Sequence, residues 1–418
     1  MSWDLGPTLG GWLSREDPTT LAAFSAAAAR GNAMAQAFNH TILPLASAVD
    51  RRTEIRWGLR EFEIRFGVRA RGLWLPETAV DLSTLRLAAQ EGVAYTILAP
   101  WQAADMGIDT RRPYRVELGS SLSITVVFFD SGLSAAASFE PEATSDADRF
   151  ARERVAPRLV GARLADGRPP LALIATDGEL YGHHQQFRDL FLQRLLVPDL
   201  SSPDRGFDVV ALADVITDQS VDSLPVVRIS ERTSWSCHHG IARWWAECPD
   251  AVDGRWKGPL RAALERLAGG IDVATETAFA QLPGAPDPWA ARDRWIDVIV
   301  GATDADAFAA DCLPSSATET DRSRFADFLE AERWRLAMFA SDGWFWDDPI
   351  RTETRQVMRA AARAARLVDG LAATSLERRL VDDLGLFTSP STGQSGADIY
   401  CTALADVGQP PPSDLPTA

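Results

Sequence analysis

Two acidic residues stand just past short apolar runs in this chain. Leu171-Ala-Leu-Ile-Ala175 follows the Pro169-Pro170 break and reads as a buried parallel strand. Asp177, Gly178 and Glu179 come directly after it, then Tyr181, His183 and His184, ahead of a helical pattern from Phe187 to Leu196. Gly72 to Asp81 repeats the layout, with a short strand through Trp74 ending at Glu77 and a helix starting near Asp81. Acids just past buried strands lie where open and barrel α/β sheets carry their active sites. Two such acids suit glycosyl transfer, one carboxylate acting as nucleophile and one carboxylic acid as proton donor, roughly 5–5.5 Å apart in retaining enzymes. Like charges that close cannot both ionise easily, so one acid rises in pKa and can donate near neutral pH. The residues alone leave a blander reading open, with Glu77 capping a helix after Pro76 and Asp177 making a turn with Gly178.

Other constellations compete. Asp177, Glu179, His183 and His184 offer carboxylate and imidazole ligands suited to zinc or manganese. Their spacing matches no metal signature, so neither a metal nor a cofactor is expected. In Trp235-Ser-Cys-His-His-Gly240, Cys237 sits beside His238 and His239. Catalytic pairs meet in space rather than in sequence, so this stretch reads better as a cleft wall bearing an aromatic ring and an imidazole. Fourteen tryptophans are present, most of them suited to a core. Trp344, Phe345 and Trp346 are consecutive and cannot all face one core from a helix, so at least one lines a cleft or an interface. Beside two acids, stacking on sugar rings is the natural use of such faces; Trp74, Trp101, Trp235, Trp344 and Trp346 are the candidates.

Composition narrows the classes. The formal charge is 42 − 58 = −16, which disfavours nucleic acid or an anionic membrane as partner and favours a neutral substrate. Lys257 is the only lysine, so a Schiff-base or P-loop lysine is nearly excluded. The four cysteines lack CxxC spacing, as expected of reduced thiols in a cytoplasmic protein. The first residues show no leader pattern, and no run approaches eighteen apolar residues.

The elements that must position these groups follow one another as strand and helix up to about Arg255, the pattern of a parallel sheet with crossover helices. Strands are predicted at 72–77, 93–99, 114–118, 122–129, 171–175, 207–211 and 226–229; residues 1–13 and most of those after Leu386 read as loop. Helices are predicted over 18–30, 55–66, 82–92 and 147–160. Beyond Arg255, the segments 259–267, 289–300, 321–340 and 352–371 are all helical. The expected organisation is an α/β part over 1–255, an all-α domain over 256–390 and a tail over 391–418.

Together these stretches resemble glycoside hydrolase family 57, the retaining α-glucan enzymes that include amylases, 4-α-glucanotransferases and branching enzymes. Phe38-Asn-His-Thr-Ile-Leu-Pro-Leu45 is similar to the family's second conserved region, with His40 its histidine. Trp74-Leu-Pro-Glu77 is similar to the third, which makes Glu77 the nucleophile; Ala175 to His183 is similar to the fourth, which makes Asp177 the general acid/base. The stretches at Trp235 and Trp344 resemble a bacterial subgroup in which the hydrolase part is joined to a domain of unknown function. The resemblance implies an incomplete seven-stranded (β/α) barrel followed by a helical domain. It also implies substrate contacts from His40, Trp74, Trp101, Glu179, His183, His184, Trp235, His238, Trp344 and Trp346. The expected partner is an α-glucan or maltooligosaccharide, with no nucleic acid or membrane, and self-association left open. The rival classes are a non-catalytic α-glucan-binding or regulatory protein and a metal-dependent polysaccharide deacetylase-like hydrolase. Family members open with a strand bearing a His-Gln-Pro or His-Gly-His motif, whereas the first histidine here is His40. That departure leads to an expectation of low activity on simple α-glucans for these 418 residues, with the strand before His40 covered by the Trp3 to Trp12 segment or by a partner chain.

Overall fold

The computed structural model describes residues 1–164, 166–197, 205–217 and 220–410. Six short strands carry the first part. β1 (Trp3–Asp4), β2 (Ala33–Gln36) and β3 (Leu73–Trp74) form one three-stranded sheet in that order. β4 (Tyr95–Leu98), β5 (Pro113–Gly119) and β6 (Leu122–Phe128) form another in the order β4-β6-β5, with β4 parallel and β5 antiparallel to β6. The sheets meet where Gly72 bridges Tyr95 in parallel and the Thr96 hydroxyl donates to the Leu73 carbonyl at 2.8 Å. Only glycine fits at position 72, since a Cβ there would lie 2.4 Å from the Tyr95 ring.

Several expectations need correction. No strand forms at Leu171–Ala175: Leu171 N–H donates to Arg111 O, Asp130 N–H to Leu173 O, and Ala175 N–H to the Ser134 hydroxyl. Successive side chains nonetheless pack on opposite sides of the segment. Leu171, Leu173 and Ala175 rest against a core of Tyr95, Ile97, Val127 and Phe129, while Ala172 and Ile174 rest against Leu133, Phe150 and Phe191. Residues 207–211 and 226–229 are not strands either; the second makes only isolated bridges, Val226 to Arg115 and Ile229 to Ala103. Among the described residues the strands are thus six, not the seven of the expected barrel. Residues 1–13, expected as loop, hold β1, paired in parallel with β2, and the start of a helix, Pro7–Glu16. Proline at the first helical position loses no bond, which a loop reading of Gly6-Pro7 overlooks.

The chain divides into two compact units. One comprises Met1–Leu5, Glu16–Ala35 and Ala70–Trp235; the other comprises Gly6–Arg15, Gln36–Arg69 and Ser236–Ala418. The second is helical, built on Ala48–Phe66, Lys257–Gln281, Glu319–Ala337, Thr352–Ala372 and Leu376–Leu384. Lys257–Gln281 runs through Gly269-Gly270 because the Leu376 side chain occupies the space where a Gly270 Cβ would stand, at 2.6 Å. A further helix, Gly396–Ala405, opens on a Ser395/Asp398 capping box where mostly loop was expected. The expected frayed tail falls mainly on 411–418, outside the described residues. No helix among them is long and apolar enough to cross a membrane.

Candidate active site

Glu77 sits on a strained turn at the end of β3. Pro76 fixes the entry, and then Glu77 (φ 57°) and Thr78 (φ 47°) both take left-handed backbone angles. Two consecutive non-glycine residues there cost on the order of 1–3 kcal/mol each, and such strain persists only where the surroundings over-determine it. Gln102, fully buried, does so here. Its carbonyl accepts from the Thr78 hydroxyl at 2.8 Å and the Ala99 N–H at 2.9 Å; its amide donates to Thr78 O at 2.8 Å and to the Thr233 hydroxyl at 3.3 Å.

The Glu77 carboxylate accepts the Trp235 indole N–H at 3.1 Å, and Trp235 N–H also donates to the Glu77 carbonyl at 3.1 Å. The Trp235 ring meets Trp74 edge-on at 5.1 Å and Phe129 at 6.2 Å, while Trp101 meets Phe129 at 5.8 Å. Trp101 is 45% exposed, and its indole donates to Ser234 O. Glu77 is therefore half-buried, held from both its side chain and its backbone, and set among three of the tryptophans singled out from the sequence.

Asp177 is exposed and precedes a short turn, Gly178–Leu180. That turn is anchored by Leu180 in the core and by Tyr181, whose hydroxyl accepts from the Thr176 hydroxyl at 3.1 Å. Glu179 is exposed; its carbonyl receives the N–H groups of His183 and His184, whose exposed rings lie 5.0 Å apart. Phe187, at φ 63° and 71% exposed, follows before the helix Arg188–Leu196. The fourfold cluster of Asp177, Glu179, His183 and His184 is not among the metal-type groupings found in the described residues.

The remaining candidates lie in the helical unit. His40, at φ 55°, has Nδ1 2.7 Å from the Ser341 hydroxyl. His238 is exposed. Trp346, 42% exposed, carries the Arg351 guanidinium over its ring at 4.3 Å. Trp344 corrects the sequence reading. At 1% exposure, with its indole donating to Lys257 O at 3.3 Å and Arg261 over its ring at 5.7 Å, it is a core residue with no face left for a sugar.

Sequence reading missed a polar cavity of about 330 Å³ in this unit, lined among others by Asp50, Glu54, Asp272 and Arg335. Burial pushes the Glu54 carboxyl up to about 7 against two bonds from Asn39, its N–H and its amide, both at 2.9 Å. Burial likewise raises Asp272 to about 6, opposed by Arg335. Glu54 lies in Arg52-Thr-Glu-Ile-Arg56, a spacing that reads as a solvated helix face, so the sequence carries no signal for it.

An α/β part with an acid held at a strand end on an aromatic-walled turn, joined to a helical part, is the frame of a carbohydrate-active enzyme. The chain belongs to glycosyl hydrolase family 57, whose family model matches residues 5–222. A second model, a domain of unknown function (DUF3536), matches residues 253–407. Among solved structures the chain is similar to an exo-type maltose-forming amylase from Pyrococcus sp. ST04, at 14% identity and TM-score 0.70, covering 96% of this chain and 76% of that one. It is also similar to a branching enzyme from Thermococcus kodakaraensis, at 15% identity and TM-score 0.60, covering 95% and 74%. A 4-alpha-glucanotransferase from Thermococcus litoralis matches at 14% identity and TM-score 0.55, covering 87% and 52%. At these identities the likeness is one of fold. No curated protein matches the sequence.

Proposed function

We propose that this chain is a retaining α-glucan-active enzyme, hydrolysing or transferring glucosyl units by double displacement. The observation that carries the reading is the Glu77 turn: a carboxylate on a strained backbone, clamped by buried Gln102 and oriented by the Trp235 indole. Strain held at two consecutive residues by a buried side chain suits a preorganised nucleophile. Glu77 attacks the anomeric carbon as Asp177 protonates the departing glycosidic oxygen. Asp177 then takes a proton from water, or from a sugar hydroxyl, as that oxygen displaces Glu77 from the anomeric carbon. Trp74, Trp101 and Trp235 offer ring faces and edges on the nucleophile side. Glu179, His183 and His184 serve the acid/base side, with His40, His238 and Trp346 as further sugar contacts. The likeness to solved family 57 structures supports reading residues 1–255 as the incomplete (β/α) barrel and 256–390 as its helical companion. A cytoplasmic location fits the absence of a membrane-spanning helix among the described residues.

The test is product analysis on maltooligosaccharides and glycogen, combined with trapping by a fluorinated glucosyl donor. Shortened or rearranged glucans and a glycosyl adduct on the Glu77 peptide are expected. Binding of glycogen without turnover or adduct would favour the non-catalytic reading, and an adduct on another acid would overturn the assignment.

A further inference from the structure

We propose that Cys237, His239, Cys248 and Asp250 form a structural zinc site. Their ligand atoms, two Sγ, one Nδ1 and one carboxylate oxygen, all lie within 4.8 Å of one another. Cys237 Sγ is 3.5 Å from Cys248 Sγ, Cys248 Sγ is 3.8 Å from His239 Nδ1, and His239 Nδ1 is 3.2 Å from Asp250 Oδ2. A tetrahedral zinc, with bonds of about 2.3 Å to sulfur and about 2.0–2.1 Å to nitrogen and oxygen, needs edges of about 3.8, 3.6 and 3.3 Å respectively. The three observed edges each fall within a few tenths of an ångström of those lengths.

The sequence builds this arrangement twice over. Cys237-His-His239 and Cys248-Pro-Asp250 are two Cys-x-ligand pairs separated by eight residues, 240–247. In each pair the cysteine carbonyl accepts the N–H of the residue three positions on, from Gly240 at 3.1 Å and Ala251 at 2.9 Å. Each cysteine therefore opens a tight turn that brings the side chain two positions later back beside its own sulfur. Gly240 takes φ 74°, a left-handed angle that glycine adopts at no steric cost. Both sulfurs are buried, while His239 and Asp250 are exposed, so the site is closed on the protein side and loaded from solvent.

Two thiolates and an imidazole select zinc over calcium or magnesium, and a full set of four protein ligands marks a structural rather than a catalytic ion. Binding releases one proton from each thiol to solvent, and no electron changes hands. The resulting centre would carry a net charge of about −1, from the ion's two positive charges against two thiolates and one carboxylate. Lys257 lies close enough to both cysteines to interact electrostatically, and its buried Nζ has no hydrogen-bond partner among the described residues. An anionic zinc centre would add to the counter-charge that Asp347 gives this buried cation. The same geometry explains the role of the His-His doublet: His239 turns toward the sulfurs, leaving His238 as the one available to another partner.

The test uses the full chain, purified without chelator and again after stripping and reloading with zinc or cobalt. About one zinc per chain is expected by elemental analysis, and cobalt loading should give the thiolate-to-metal and ligand-field bands of a tetrahedral S₂NO site. Cys248→Ser should abolish loading. Because that variant may unfold for want of a core residue, His239→Ala and Asp250→Ala at the exposed rim provide the second arm. Each should stay folded, release zinc to a chromogenic chelator at least about tenfold faster, and lose the fall in melting temperature that chelation causes in the parent. A folded parent that takes up neither metal at stoichiometric concentration overturns the proposal. So does a Cys237–Cys248 disulfide found by mass spectrometry in freshly isolated, metal-free protein.

Discussion

On the proposed mechanism Glu77 is the nucleophile and Asp177 the general acid/base, and their substitutions separate the two roles. Glu77→Gln keeps the shape and the indole contact at Trp235 but removes the nucleophile. Turnover should fall by about 10³-fold or more with unfolding free energy changed by less than about 1 kcal/mol. Asp177→Asn should depress turnover of poor leaving groups in the same way, while activated substrates are partly rescued by azide through the intact Glu77. Activity at parental rates in either variant would remove that residue from the mechanism. Trp235→Phe retains the apolar contact with Trp74 but loses the N–H to the Glu77 carboxylate. A positioning role predicts a fall in kcat of about tenfold with KM little changed; a rise in KM alone would make Trp235 a binding residue instead. Both acids were singled out in the sequence because each follows a short apolar run, although only Glu77 follows a strand. Gln102 was not, since a glutamine after Pro100-Trp101 reads as loop polarity until the backbone it clamps is seen.

Among elements, the Glu77 turn stands out because two strained residues rest on one buried side chain. Gln102→Leu conserves volume roughly but leaves Thr78 O, the Thr78 hydroxyl and Ala99 N–H without their partner. Each buried group so left costs about 1–3 kcal/mol, which predicts a loss of about 2–4 kcal/mol in urea unfolding after local relaxation. Turnover should fall further than stability explains, because the carboxylate would no longer be held; a variant as stable as the parent would disprove the clamp. Strand β4 and the hairpin of β5 and β6 were legible because short apolar runs, fully alternating with polar residues only in β5, sit between Gly and Pro. The Leu171–Ala175 strand was overread: its apolar run reports two apolar clusters on either side of the segment, and an apolar run marks burial without fixing which backbone groups pair. The helix Gly396–Ala405 was underread because Ser-Gly-Ala resembles a loop unless Ser395 and Asp398 are recognised as a capping box.

On the scale of the molecule, the excess of acids in the composition, 58 against 42 cations, also marks the interior of the helical unit. Arg292 and Arg335 pair with Asp50, Glu332 and Asp272, while Glu54, fully buried and repelled by Asp50, is held only by Asn39 and other polar groups. Four acids around two guanidiniums leave the site short of positive charge, so burial drives protons onto Glu54 first and Asp272 next, at about 7 and about 6. The sign follows from linkage: the folded chain holds a proton on Glu54 that the unfolded chain sheds near 4.5, so stability is greatest below that value and declines as pH rises to about 7. The shift from 4.5 to about 7 corresponds to about 3 kcal/mol for Glu54, with Asp272 adding to the same slope from its usual 3.8 to about 6. Groups held below their usual range, such as Asp50, act in the opposite direction, but only under about pH 4. Urea unfolding measured across pH 4.5 to 7.5 should therefore show a steady decline. In Glu54→Gln that decline should shrink by most of the Glu54 share, because the amide stays neutral and the Asn39 side chain can rotate to meet it. A parental profile flat over this window, or one whose slope the Gln variant leaves unchanged, would mean that the buried acids keep their charges and that the cavity beside them is more hydrated than its lining implies.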